Sequence, residues 1–233
     1  MTGSYILETR GLSAGYGARP VIHEVDIRVA AGEVVALLGA NGVGKTTTLL
    51  AITGELPVAA GEVFFDGSAA AMPLYRHARR GLAFVPEGRS VFFGLSVAEN
   101  LKAARVEPAD AVSLFPELEK RLTTKAGLIS GGEQQMLALA RALGRRPRLI
   151  VVDELSLGLG PKVVRRLLSA LRQAASEGVG VLFVEQHARK ALAYSDRVYV
   201  MNRGRIALRG DAESMKSRLS DIEDEYLATR GSG

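Results

Sequence analysis

Residues Gly39-Ala40-Asn41-Gly42-Val43-Gly44-Lys45-Thr46 match the pattern G-x-x-x-x-G-K-[ST], and each fixed position answers a demand of holding phosphate. Gly39, Gly42 and Gly44, with Asn41 among them, let successive amides turn inward around phosphate oxygens. The helix that follows, opening with Thr46 and Thr47, offers free N–H groups and the positive end of its dipole. Lys45 suits the β- and γ-phosphates of a nucleotide, and the Thr46 hydroxyl suits Mg²⁺. Further on, the apolar run Leu149–Val152 ends in Asp153-Glu154. An aspartate at a strand tip can hold Mg²⁺, while the next carboxylate can polarise an attacking water. Ser130-Gly131-Gly132 presents a hydroxyl and bare amides at the start of a helix, a second place for an anion by the same logic.

These residues need rigid elements to aim them. Val34–Leu38, directly before the phosphate loop, is a continuous apolar run too short for a helix, as expected of a strand buried on both faces. Leu82–Val85, Leu149–Val152 and Val179–Val184 read the same way. The last two follow segments with apolar residues three and four apart, Gln134–Leu143 and Lys162–Ser176, so strand and helix alternate as in a parallel sheet covered by helices. Ahead of them, Tyr5–Thr9, Val25–Val29 and Glu62–Asp66 alternate apolar and polar residues between glycines and are expected to form an antiparallel layer. Residues 96 to 143 contain no convincing strand. Ser96 and Glu99 have the spacing of a capping box, and Ala109–Arg121 is expected to be helical, giving a helical insertion. Leu219, Ile222, Tyr226 and Leu227 lie at helical spacing in a terminal helix expected to dock on the core.

Ile129-Ser130-Gly131-Gly132-Glu133-Gln134-Gln135 resembles the signature sequence of ABC-type ATPases, with Ile129 in place of leucine. Tyr16, in Ala14-Gly15-Tyr16-Gly17, stands where that family stacks an aromatic ring on adenine. His187, after the last core strand, matches the family's switch histidine at the γ-phosphate. The resemblance runs from about Tyr5 to Gly210. It implies an α/β fold: a RecA-like P-loop NTPase core with an antiparallel β layer and a helical insertion subdomain. Residues 1–233 then form one domain, with 1–95 and 141–212 as core, 96–140 as helical subdomain and 213–233 as helical tail. The implied cofactors are ATP and Mg²⁺, with Lys45, Glu154 and His187 catalytic and Thr46, Asp153 and Glu87 at the metal. The implied assembly is a head-to-tail pair of chains, in which Ser130, Gly131 and Gly132 of one close on the nucleotide held by the other.

Glu87 departs from the family, most of whose members carry glutamine after the Leu82–Val85 strand; a carboxylate there can still ligate a hard cation. Pro86-Glu87-Gly88-Arg89, Ser156-Leu157-Gly158-Leu159-Gly160-Pro161 and the run at 132–138 resemble the second ATPase of branched-chain amino-acid importers. That subgroup implies a distinct second ATPase subunit, with a homodimer as the alternative. It also implies an integral membrane permease, an external substrate-binding protein, and a place on the cytoplasmic face of the membrane. A urea-importer ATPase is the nearest alternative, and a soluble ABC ATPase acting on nucleic acid or ribosomes a more distant one. Leu155 replaces a proline usual after the catalytic acid, Gly160 an aspartate, and Phe93-Gly94 the subgroup's Pro-Arg.

Composition narrows the chemistry further. The 233 residues are 47% hydrophobic and 24% charged, values of a globular chain rather than a disordered or fibrous one. Cysteine is absent, which excludes disulfides, thiol catalysis and Cys-ligated metals. Every apolar run is broken well short of the ~18 residues a membrane helix needs, and the opening MTGSYILETR does not read as a secretory leader. The net charge of +5 is spread over scattered arginine pairs, so no basic stripe suggests nucleic acid.

Overall fold

The computed structural model describes residues 5–17, 19–70, 72–88 and 90–230. The chain begins with strands β1 (Tyr5–Tyr16), β2 (Arg19–Val25), β3 (Arg28–Ala30) and β4 (Val34–Leu38), then helix α1 (Lys45–Thr53). Strands β5 (Val58–Phe65) and β6 (Ser68–Ala69), helix α2 (Leu74–Arg79) and strand β7 (Leu82–Val85) follow. A helical stretch carries α3 (Val97–Ala103), α4 (Pro108–Leu114) and α5 (Gly131–Leu143). Then come β8 (Leu149–Val152), α6 (Pro161–Ser176), β9 (Gly180–Glu185), α7 (Ala188–Tyr194), β10 (Arg197–Asn202), β11 (Arg205–Asp211), α8 (Ala212–Lys216) and α9 (Leu219–Arg230).

Two sheets result. The first is antiparallel, in the order β2-β1-β5-β6 with β3 also on β1. The second runs β11-β10-β4-β9-β8-β7; its strands are parallel except for the edge strand β11. Successive strand side chains point to opposite faces, and both faces of the parallel sheet are covered. Val34, Ala36 and Leu38 join Ile150, Val152, Val181 and Phe183 in a core roofed by α5, α6 and α7. Val35 and Leu37 join Val151, Leu182 and Val184 in a second core under the antiparallel sheet and α1. In an open parallel sheet, ligands gather at the carboxyl ends of the strands. Here those ends carry the phosphate loop after β4, Asp153 after β8 and Gln186 after β9.

Several boundaries differ from the sequence reading, each for a physical reason. Val25–Val29 is not one strand: β2 ends at Val25 and β3 starts at Arg28. The buried Thr9 hydroxyl bridges the break, donating to the Val25 carbonyl and accepting from the Ile27 amide, both at 2.8 Å. Strand β1 does not stop near Gly11 but continues to Tyr16 through register shifts, with Gly11 at a φ of 58°. The helix expected over Ala109–Arg121 is split: α4 stops at Leu114, Phe115 is extended, and Pro116–Arg121 is a 3-10 turn. Pro116 disfavours the helical conformation at Phe115. Strand β9 starts at Gly180 and reaches Glu185, one residue later at each end than expected. β10 and β11 had no counterpart in the sequence reading; they form a hairpin closed by Arg203 and Gly204, both at positive φ. In α9, Ile222 is buried and Leu219 and Tyr226 pack on the core, but Leu227 faces solvent. Arg89 of the Pro-Glu-Gly-Arg stretch lies outside the described residues.

Candidate functional site

The phosphate loop is held by close backbone approach. A Cβ on Gly39 would stand 2.6 Å from the Met201 carbonyl oxygen, and one on Gly44, whose φ is 108°, would stand 2.6 Å from Ile22 Cγ2. Both positions therefore require glycine, and they tie the loop to β10 and β2. Gly44 precedes α1 without a side-chain cap, and no acid stands in the first turn of α1. The free amides there, and the dipole behind them, suit an anion. Asn41 and Gly42 are exposed at the loop's tip, Thr46 is exposed, and Thr47 is buried within α1.

Lys45 is buried and folds back into the loop. Its Nζ donates to the carbonyls of Gly39 at 2.9 Å and Ala40 at 2.8 Å, and lies 4.0 Å from Glu154 Oε1. Burial pulls its pKa below the usual lysine value, opposed by the Glu154 and Asp153 carboxylates.

Strand β8 delivers the two acids. Asp153 is 1% exposed and its amide donates to the Val85 carbonyl, while Oδ1 has no hydrogen-bond partner among the described residues. Burial raises its pKa; hydrogen bonding to Thr46 opposes the rise, and Glu154 and Glu87 add to it. A partnerless carboxylate oxygen beside a hydroxyl and a second carboxylate is an all-oxygen donor set, the kind hard divalent cations prefer. Glu154 has a φ of 40°, an uncommon conformation outside glycine, and Leu155 after it is buried. Glu87 is exposed and lines, with Glu154, Gln135, Phe93 and Gly158, a cavity of about 520 Å³.

The structure also shows residues that sequence reasoning passed over. Glu185, buried at the end of β9, accepts the amides of Gln186 and His187 on Oε1, both at 3.0 Å. Gln186 Nε2 donates to Glu154 Oε1 at 2.8 Å. His187 is exposed and precedes α7, and it shares with Glu154 and Gln186 the wall of a cavity of about 90 Å³. An acid closing a parallel strand, as Asp153 does on β8, was the available signal for Glu185.

Ser130 caps α5: its hydroxyl accepts from the Glu133 amide at 3.2 Å, and Glu133 Oε2 accepts the Ser130 amide at 2.8 Å. Gly131 and Gly132 lie in the first helical turn rather than in a loop, and a Cβ on Gly132 would approach Val163 Cγ1 of α6 to 3.0 Å. Tyr16 is 60% exposed at the end of β1. Within one chain, Lys45, Asp153, Glu154, Gln186 and His187 thus gather at adjoining strand ends, and Ser130 and Tyr16 stand on other elements.

A strand, a glycine loop and a helix start, with two acids at the end of a parallel strand one place further along the same sheet, define a P-loop nucleotide-binding protein. The sequence profile of the ABC transporter family matches residues 22–156. The chain is 38% identical over 226 residues to the high-affinity branched-chain amino acid transport ATP-binding protein BraG of Pseudomonas aeruginosa, covering 93% of this chain and 97% of that one. It is 35% identical to a probable branched-chain amino acid transport ATP-binding protein LivF of Archaeoglobus fulgidus (90% and 94%). It is 32% identical to the lipopolysaccharide export system ATP-binding protein LptB of Escherichia coli (95% and 94%). Among solved structures, an ATP-binding cassette of an ABC transporter in its ADP conformation superposes with a TM-score of 0.86 at 26% identity, covering 96% of this chain and 98% of that one. The chain belongs to the ABC transporter family, as an ATP-binding subunit that hydrolyses ATP. Among the described residues, no helix is long and apolar enough to cross a membrane.

Proposed function

We propose that this ATPase powers import of branched-chain or other hydrophobic amino acids through a separate membrane permease, sitting on the cytoplasmic face of the membrane. The observation that carries the cargo is the 38% identity to BraG along nearly the whole of both chains. In this reading the chain is one ABC ATPase domain, with 1–95 and 141–212 as core, 96–140 as helical subdomain and 213–233 as tail. It pairs head to tail with a second ATPase subunit, distinct or identical, and an external binding protein supplies the cargo.

The residue roles in this reading are those the family resemblance implies, supported by the gathering of Lys45, Asp153, Glu154 and His187 at adjoining strand ends. Tyr16 stacks on adenine, while Gly39, Asn41, Gly42, Gly44, Lys45, Thr46 and Thr47 surround the phosphates. Lys45, already buried beside two carboxylates, neutralises charge that develops during hydrolysis. Thr46, Asp153 and Glu87 would hold Mg²⁺, which when bound neutralises phosphate charge. Glu154 polarises the lytic water and His187 faces the γ-phosphate. Ser130, Gly131 and Gly132 close the site of the partner chain. Loss of the γ-phosphate removes what both chains grip, so the pair reopens, a two-state switch biased by ligand.

The LptB relatives favour a second reading, in which the cargo is lipopolysaccharide. Uptake of labelled leucine, isoleucine and valine by cells carrying the wild type or Glu154→Gln separates the two. Loss of uptake in the variant supports amino-acid import. Normal uptake with depleted surface lipopolysaccharide supports export.

A further inference from the structure

We propose that Gln186 is the positioning residue for the Glu154 carboxylate. The proposal rests on the ATPase reading and deepens it, because it says what aims the group that polarises water. Gln186 Nε2 donates to Glu154 Oε1 at 2.8 Å, joining two loops 32 residues apart. The donor is anchored from behind. Pairing of β9 with β4 sets Glu185 opposite Leu38, and Glu185 Oε1 fixes the amides of Gln186 and His187.

Gln186 and Lys45 approach the same oxygen, Lys45 at 4.0 Å. Glu154 Oε2 has no protein donor among the described residues, which makes it the oxygen open to a water. A carboxylamide keeps its two N–H donors across the physiological pH range, whereas an imidazole in its place would change charge there. The charged and titratable groups around this contact are Lys45, Glu87, Asp153, Glu185 and His187. The ring of His187, one residue further on, makes no hydrogen bond among the described residues, so the direct contact to Glu154 belongs to the amide.

Steady-state MgATP hydrolysis by the full chain tests this with Gln186→Ala, Gln186→Glu and Gln186→His. Loss of a hydrogen bond to a charged acceptor is expected to lower kcat of Gln186→Ala about ten- to a hundredfold. The KM for ATP should stay within about twofold, since the contact orients the base rather than the nucleotide. Gln186→Glu keeps the shape but sets a second carboxylate against the first, and should fall at least as far. Gln186→His should recover part of the rate and respond to pH near 6–7 more steeply than the wild type does, because it adds an imidazole in contact with Glu154. Melting temperature and ATP affinity report on folding, and the near-isosteric Glu variant stands in if the Ala variant is unstable. Wild-type kcat in Gln186→Ala or Gln186→Glu, alongside an inactive Glu154→Gln, overturns the role of Gln186 and leaves the ATPase reading intact. A wild type that does not turn over ATP overturns both.

Discussion

Lys45 Nζ lies 4.0 Å from Glu154 Oε1 while donating to the carbonyls of Gly39 and Ala40. The ammonium is thus satisfied by the loop it belongs to, and in the proposed role it exchanges those carbonyls for phosphate oxygens when nucleotide binds. Lys45→Ala is expected to weaken ATP binding about ten- to a hundredfold, the scale of a charge-assisted hydrogen bond. Titration calorimetry checks it, and unchanged affinity would remove Lys45 from the phosphate site. Because burial lowers the Lys45 pKa, ATP affinity should decline with rising pH before an ordinary lysine would lose its proton.

Glu154→Gln keeps the length and the Gln186 neighbour but removes the charge that polarises water. Turnover should fall by roughly 10²-fold or more, while ATP-loaded dimers accumulate on size-exclusion chromatography. A turnover rate like that of the wild type would show that another group activates the water.

Asp153 carries a pH signature of the opposite sign to most structural carboxylates. Its pKa is raised in the folded chain, so the proton binds more tightly folded than unfolded. Its contribution to stability is therefore present below the unfolded pKa and lost as pH rises through the raised folded value. Asp153→Asn should flatten that dependence and raise the melting temperature of the nucleotide-free chain at neutral pH by about 2–4 °C, on the order of 1 kcal/mol. The same variant should lose the Mg²⁺ dependence of nucleotide binding. A lower melting temperature, with Mg²⁺ dependence intact, would contradict both halves.

Ser130→Ala removes a helix cap and is expected to cost about 1 kcal/mol, read as a modest drop in melting temperature. Binding of ATP to a single chain should be unaffected, because Ser130 is assigned to the neighbour's nucleotide, whereas turnover should fall. Equal loss of binding and turnover would place Ser130 in its own chain's site instead.

How much of this was legible depended on how local the cause was. The runs Val34–Leu38 and Leu149–Val152 are strands because their composition leaves no other element of that length, and the phosphate loop is contiguous. Thr9 splicing β2 to β3 was not legible, because its two partners lie at Val25 and Ile27, across a fold not yet formed on paper. Gln186 was overlooked beside a histidine that draws attention, and its partner is 32 residues away. Pro116 was a readable break, since it restricts the residue before it, but the flanking periodicity suggested continuity.

The starts of α1 and α5 differ in one respect: α1 has no side-chain cap and no acid in its first turn, whereas Ser130 and Glu133 cap α5 reciprocally. The first helix is left wanting an anion, and the second is content in water. A lone chain can therefore wait, charged with nucleotide at one end, at little cost from the other. The cap occupies one lone pair of the Ser130 oxygen and leaves the hydroxyl hydrogen for a neighbour's phosphate, so docking adds a donor without dismantling the cap.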